Sequence, residues 1–285
     1  MIIKFWLPFM APCLGTIARI ARRNKKTRVV SILDNIIPHE HRIGDRLFAR
    51  YFVNSVDGFV AMSQAVLTDT ETFDKKKPKI FSPHPLYDNF GAHVTREEAV
   101  QHLRLDPSMR YILFFGLIRD YKGLDWLLKA FADKRLTDTN IRLIVAGEFY
   151  NNAEQYEMLE RELGIQERII WHREFVPDEE VRYFFSAADL IAQPYKSATQ
   201  SGVTQIAYHF ERPMLVTNVG GLAEIVPDGK VGYVVEPDVA AIADALVDWA
   251  TLDRTTHFAQ GLKEEKQKYS WGKMTQAIRR AAEKE

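Results

Sequence analysis

The residues with the most chemistry in them sit close together. Between 111 and 123 the chain reads Tyr-Ile-Leu-Phe-Phe-Gly-Leu-Ile-Arg-Asp-Tyr-Lys-Gly. Arg119 and Lys122 stand three positions apart, just after Gly116, which lacks a side chain to keep a ligand off the backbone. Two cations beside a helix start at Gly123, with its unpaired N–H groups, form a place for a phosphate. A second turn, Thr199-Gln200-Ser201-Gly202, leads straight into another helix. Its hydroxyls and free N–H groups could close on a diphosphate from the other side. Charge-assisted hydrogen bonds of this kind are worth about 1.5–3 kcal/mol each, enough to hold a nucleotide diphosphate and stabilise it as it departs. The ordinary reading of each turn alone is a solvated loop or a Ser/Thr helix cap.

The elements that must position these turns are legible in the patterning. The five residues ending at Phe115 form an uninterrupted apolar run, as expected for a buried parallel strand. Strand and helix patterns then alternate with short connections. Strands are expected at 141–145, 168–171, 190–193, 214–216 and 232–234. Helices are expected at 123–132, 153–163, 178–186, 201–209 and 239–249, with two more closing the chain. Before 82 the same alternation holds, with strands at 2–5, 28–33, 58–61 and 79–81 and helices at 12–23, 45–54 and 63–72. Such alternation implies doubly wound parallel sheets with helices on both faces. Ser82 to Gly91 carries Pro83 and Pro85 and breaks the rhythm, so it reads as a linker. The expected division is 1–91, 92–267 and a terminal helix over 268–285 that crosses back to brace the first domain. In such sheets ligands bind beyond the carboxyl ends of the strands. There lie Gly116, Arg119 and Lys122; Gly147 and Glu148; Glu174, Phe175 and Val176; the turn from Pro194 to Gly202; and Gly220 to Glu224. Asp34, His39 and Glu40 follow a strand end in the first domain and are acceptor-side candidates.

Composition bounds the class. The chain has 285 residues, 46% hydrophobic, with Lys plus Arg and Asp plus Glu balanced at 38 each. That is enough for two cored α/β domains, and nothing in the bulk charge points to nucleic acid. The single cysteine, Cys13, fits a reducing compartment. No apolar run reaches membrane-spanning length, so a cytoplasmic location is expected. Six cations in the ten residues from Arg19 to Arg28, with no acid among them, suit either a solvated helix end or the anionic inner face of a membrane.

Taken in order, Phe-Phe-Gly-Leu-Ile-Arg-Asp-Tyr-Lys-Gly-Leu-Asp at 114–125, Leu-Ile-Val-Ala-Gly-Glu at 143–148, Phe-Val-Pro-Asp-Glu-Glu-Val at 175–181, Gln-Ser-Gly-Val at 200–203 and Val-Thr-Asn-Val-Gly-Gly-Leu-Ala-Glu-Ile-Val at 216–226 resemble the donor-binding domain of group 1 (family 4) glycosyltransferases. The resemblance implies a GT-B fold of two Rossmann-like domains. It implies transfer of a sugar from a nucleotide-diphosphate donor to a hydroxyl of a glycan or lipid-linked acceptor, with the anomeric configuration retained. Surface polysaccharide or lipopolysaccharide assembly is the implied setting. In the family's pattern Arg119 and Lys122 bind the diphosphate with the help of Gly116, Thr199, Gln200, Ser201 and Gly202. Since these cations neutralise it, no metal or other cofactor is called for, and no Asp-x-Asp run is placed to hold one. Phe175 and Val176 fall against the nucleotide base, Glu148 near base or ribose.

Two departures stand out. The family carries two glutamates separated by seven residues around the fourth turn; counted back from Pro213, they fall on Ala198 and Ile206. Gln205 is an alternative ribose contact, and Thr199 or Gln200 an alternative sugar contact. Against the family's length, only the second half of the acceptor domain is recognisable, so the first domain is expected to be truncated. These departures leave open a non-catalytic protein that binds a nucleotide-sugar or a partner. A sugar-nucleotide epimerase, using Glu148, Glu174 or Glu224 as base, is a third reading.

Overall fold

A computed structural model describes residues 1–37, 44–150, 153–198, 201–252 and 254–283. The elements run β1 (Ile2–Phe5), α1 (Ala11–Arg22), β2 (Val30–Leu33), α2 (Asp45–Ser55), β3 (Gly58–Ala61), α3 (Gln64–Glu71), β4 (Lys79–Phe81), α4 (Arg96–His102), β5 (Arg110–Phe115) and α5 (Leu124–Phe131). There follow β6 (Ile141–Ala146), α6 (Glu154–Leu163), β7 (Ile169–His172), α7 (Asp178–Ala187), β8 (Leu190–Gln193), α8 (Gly202–His209), β9 (Met214–Thr217), α9 (Leu222–Ile225), β10 (Gly232–Val235), α10 (Val239–Thr251), α11 (Thr255–Lys266) and α12 (Trp271–Ala282). The chain divides into two compact units, 1–85 with 268–285, and 86–267. The proline-bearing stretch 82–91 straddles that boundary. The expected helices and strands are present to within a few residues. The short helix α9 was not foreseen; it forms inside the Gly220-Gly221 turn.

In the first unit the four strands pair in parallel in sequential order, β1-β2-β3-β4. Right-handed crossovers that always advance in one direction put their helices on one face. Accordingly Phe5, Leu33, Phe59 and Ala61 form a core with Ala11, Ala18, Phe52 and Val53 from α1 and α2. The other face needs a separate cover. Alternation turns Val30, Val60 and Met62 that way, where they meet Met274, Ala277 and Ala281 of α12. The helix approaches so closely that a Cβ on Gly58 would lie 2.1 Å from the Ala281 carbonyl oxygen.

The second unit holds a six-stranded parallel sheet in the order β10-β9-β8-β5-β6-β7. One face buries Ile112, Phe114, Leu143, Val145 and Leu190 against Leu124, Leu128 and Phe131 of α5 and Leu246 and Trp249 of α10. On the opposite face Phe115 meets Phe185 of α7, with ring centroids 5.1 Å apart, and Phe185 in turn meets Phe210 just after α8, at 5.7 Å. The chain leaves β5 toward β6 on one side and returns to β8 on the other. β5 and β8 therefore flank a topological switch point, where the connecting turns part and leave a crevice. Both sheets are purely parallel within α/β units, as the alternation of strand and helix patterns leads one to expect.

Replacing Gly58 by Ala pushes a methyl group into the backbone of α12. We expect a loss of about 1–3 kcal/mol in the unfolding free energy of the intact chain. Denaturant titration followed by circular dichroism reads this directly, and an unchanged midpoint would show that α12 does not lie against β3.

Candidate functional site

The turn after β5 is shaped by two glycines. Gly116 has φ +95° and Gly123 φ +70°, left-handed conformations that L side chains rarely adopt. Between them Asp120–Lys122 form one 3-10 turn with Arg119 at its start and Gly123 at its end. A Cβ on Gly123 would stand 2.0 Å from the carbonyl oxygen of Pro194, so the turn after β5 rests directly on the turn after β8. Further bonds join them: the Lys196 amide donates to the Tyr121 carbonyl at 2.7 Å, and the Lys196 ammonium pairs with Asp125 at 2.8 Å. The turn after β6 closes on the first in the same way. Gly147 has φ +139°, and a Cβ there would meet the Gly116 carbonyl at 2.3 Å. Ile118 donates to the Glu148 carbonyl and accepts from the Tyr150 amide.

This closure buries Lys122. Its side chain runs back under Gly116, where a Cβ would stand 3.2 Å from Nζ, and the ammonium lies 5.9 Å from the centre of the Tyr195 ring. Only 8% of Lys122 is exposed. Burial, reinforced by the nearby Arg119 charge, pushes its pKa down to about 8. Arg119 stacks its guanidinium 4.2 Å from the centre of the Tyr150 ring, and its buried Nε has no hydrogen-bond partner. Among the described residues neither cation has a carboxylate partner. An unpaired buried ammonium is costly, and a bound anion would remove the cost.

The N-terminus of α8 faces the same crevice. Val203, in its first turn, has a methyl 3.9 Å from where a Gly116 Cβ would stand. Ser201 caps the helix by accepting from the Val203 amide at 3.2 Å, and its hydroxyl contacts that of Tyr195 at 3.2 Å. A Cβ on Gly202 would touch the Tyr87 ring at 3.0 Å, so a linker residue shuts one side of this turn. Beside Gly116 opens a cavity of ≈ 370 Å³. Of the residues singled out in the sequence, Gly116, Gly147, Glu148, Phe175 and Val176 line it, joined by Phe90, Phe115 and Val181. Phe175 is 68% exposed and Val176 buried. Gly116 lines this apolar slot and the Lys122 ammonium lies just beneath it, an arrangement that suits a flat aromatic base followed by phosphates.

Other candidates are placed differently. Gln205 is buried in α8 with both amide atoms unpartnered, and it is not among the residues lining the cavity. Ile206, where the resemblance calls for a glutamate, is also buried. In the first unit Asp34 pairs with Lys4 at 3.3 Å. Thr199, Gln200, His39 and Glu40 lie outside the described residues. Glu148 and Glu174 are exposed just after β6 and β7, and Glu224 is exposed within α9. Among the described residues no three His, Cys, Asp or Glu side chains are grouped to hold a metal ion, and no helix is long and apolar enough to cross a membrane. Sequence reasoning missed Phe90 and Tyr87 because the neighbouring prolines marked the segment as a linker only.

Comparison with known proteins gives these features a context. The family model described as "Glycosyl transferases group 1" matches residues 109–251, half of the chain. A D-inositol 3-phosphate glycosyltransferase of Corynebacterium urealyticum is 28% identical over 246 residues, covering 82% of this chain and 58% of the relative. This chain thus spans a little over half the length of that relative. Among solved structures, HepE of Anabaena, crystallised with UDP, superposes with a TM-score of 0.77 at 17% identity over 97% of this chain and 77% of that one. WaaG, a glycosyltransferase of lipopolysaccharide biosynthesis, does so with a TM-score of 0.66 at 19% identity over 92% and 80%. The switch-point crevice, its paired turns and the matched segment agree: the chain belongs to the group 1 glycosyltransferases, with the two-sheet architecture of the GT-B fold.

Proposed function

We propose that the second unit binds a nucleoside-diphosphate sugar and that the protein transfers its sugar to an acceptor hydroxyl with retention of configuration. The observation that carries this is Lys122, a buried ammonium without an acidic partner, beside Arg119 at the switch point. Phe175 and Val176 would take the base, with Glu148 at the rim, and the cations and the start of α8 would take the diphosphate. In the reaction, the bond between the anomeric carbon and the β-phosphate oxygen breaks and its electron pair leaves with the phosphate. The acceptor oxygen bonds to the same carbon from the same face, and its proton passes to the departing phosphate oxygen. Arg119 and Lys122 stabilise the developing charge, so the proposal assigns this task to side chains rather than to a divalent ion. HepE of the same fold has been solved with UDP and with UDP-glucose, which supports a nucleotide-sugar donor. A lipid-linked or glycan acceptor in surface polysaccharide assembly, at the cytoplasmic side of a membrane, is the setting we favour. A second reading, donor binding without turnover, draws on Ile206 and Ala198 standing where the family has glutamates.

Calorimetric titration with UDP, GDP and ADP tests the site. We expect one nucleotide to bind and Arg119→Ala to abolish it. Where turnover is measurable, with sugar transfer read by release of the nucleotide, the same change should lower the rate by about 10²–10³. Full activity in Arg119→Ala would sink the assignment, while binding without sugar release would favour the second reading.

Lys122 also sets a pH signature. Its folded pKa lies below the unfolded value, so both states are protonated below about pH 8 and the folded state bears the cost. Between about pH 8 and 10.5 the unfolded chain holds the extra proton, and this group makes the unliganded fold more stable as pH rises, by at most about 3 kcal/mol. Nucleotide binding should run the other way, weakening as Lys122 loses its charge. Lys122→Met should remove both trends, and an unchanged pH profile in that variant would count against the role.

A further inference from the structure

The amino ends of the same six strands hold another group of cations. Arg110 opens β5, Asp189 stands just before β8 and Arg212 just before β9; with Trp249, Arg254 and Phe258 they line a cavity of ≈ 190 Å³. Arg110 is held by carbonyls, which leave its charge uncancelled, whereas Arg254 is paired with an acid. Arg110 donates to the carbonyls of Trp249 and Ala250, both at 3.2 Å, and lies 3.9 Å from the centre of the Trp249 ring. Arg254 is turned to Asp248 at 3.0 Å. The two acids at the cavity already have other partners. Asp189 accepts from the Tyr111 amide at 2.8 Å and pairs with Arg96 at 3.5 Å, and Glu211 pairs with Lys266 at 3.2 Å.

Arg212 is the exception. It makes no side-chain hydrogen bond or ion pair among the described residues, and its Nε is buried without a partner. Burial lowers its pKa although Asp189 and Glu211 pull the other way. The backbone that presents it is strained. Glu211 adopts φ +52°, a left-handed conformation unusual for a residue with a side chain, and the Arg212 amide bonds back to the Ala207 carbonyl at 2.9 Å. The guanidinium is half-buried, and with no carboxylate bound to it among the described residues its fork of donors is free for an oxyanion.

We propose that this cavity is a second oxyanion site, which takes a phosphate group, free or as a monoester, on Arg212 with Arg110 and Arg254 at its walls. It lies at the opposite ends of the strands from the turns after β5 and β8 and stands independently of the donor reading. The phosphate would be held by Arg212 in a fork, and any organic substituent would lie along Trp249 and Phe258.

The test is calorimetric titration of the intact chain with sodium phosphate and with glycerol phosphate, for the wild type, Arg212→Gln, Arg212→Lys and Arg119→Ala. We expect binding to the wild type and to Arg119→Ala, a dissociation constant at least about tenfold higher in Arg212→Gln, and a smaller rise in Arg212→Lys, which keeps the charge but loses the fork. Phosphate should also raise the melting temperature of the wild type but not of Arg212→Gln, and the same scan establishes that the variant is folded. Tighter binding of the ester assigns the site to a phosphorylated metabolite and tighter binding of phosphate to the free ion; both support it. No binding by the wild type up to roughly 10 mM, a tenfold excess over a millimolar site, equal binding in the wild type and Arg212→Gln, or loss in Arg119→Ala with retention in Arg212→Gln would overturn it.

Discussion

The second unit depends on one close approach, the alpha carbon of Gly123 against the carbonyl of Pro194. A Cβ at that position would fall 2.0 Å from the oxygen, so no other residue allows the turn after β5 to sit this close to the turn after β8. Gly147 against the Gly116 carbonyl does the same for the turn after β6. With three strand-end turns drawn together, Lys122 cannot reach bulk water and its ammonium is left beneath Gly116. The geometry of the crevice and the electrostatics of its cation thus have one cause. A side chain at any of these glycines would part the turns and return Lys122 to solvent.

Drawing a cation out of water has to be offset elsewhere, and the sheet supplies the means. β5 and β6 are apolar through most of their length because helices cover both faces, and the core on the α5 and α10 side is continuous from Ile112 to Trp249. Parallel pairing of β5 with β8 holds the two turns in register. That is the arrangement expected where stability is spent locally to keep a site ready for charge.

Much of this was legible in the residues. Parallel strands buried on both faces show as unbroken apolar runs, so β5, β6 and β8 stand out, and glycines followed by cations mark where the chain must turn. Pairing order was not legible, since nothing local says that β8 rather than β7 adjoins β5. The crevice therefore could be assigned to strand ends but not to a particular pair. Gln205 shows what local reading leaves out: its residue type does not say that its place on α8 buries it. The stripe Met274, Ala277, Ile278 and Ala281 announces an amphipathic helix, whereas its place on the α12 side of the first sheet follows from sequential strand order leaving one face bare. Arg110, Arg212 and Arg254 share no motif, being brought together only by the amino ends of three elements.

How the chain treats its other cations gives these two unpaired ones their meaning. Lys230 reaches Glu265, whose side chain is only 4% exposed, at 2.9 Å. Lys196 is met by Asp125 and Lys266 by Glu211. Arg168 is held instead by the carbonyls of Phe131 and Leu136, so a cation that only joins elements is met by an acid or a carbonyl. Lys122 and Arg212 break that habit, one at each end of the same six strands. Each is beside a cavity, and each follows or precedes a residue in a left-handed conformation, Gly123 after the one and Glu211 before the other. An unpaired cation held beside a cavity is the observation on which both proposals of an incoming negative charge rest.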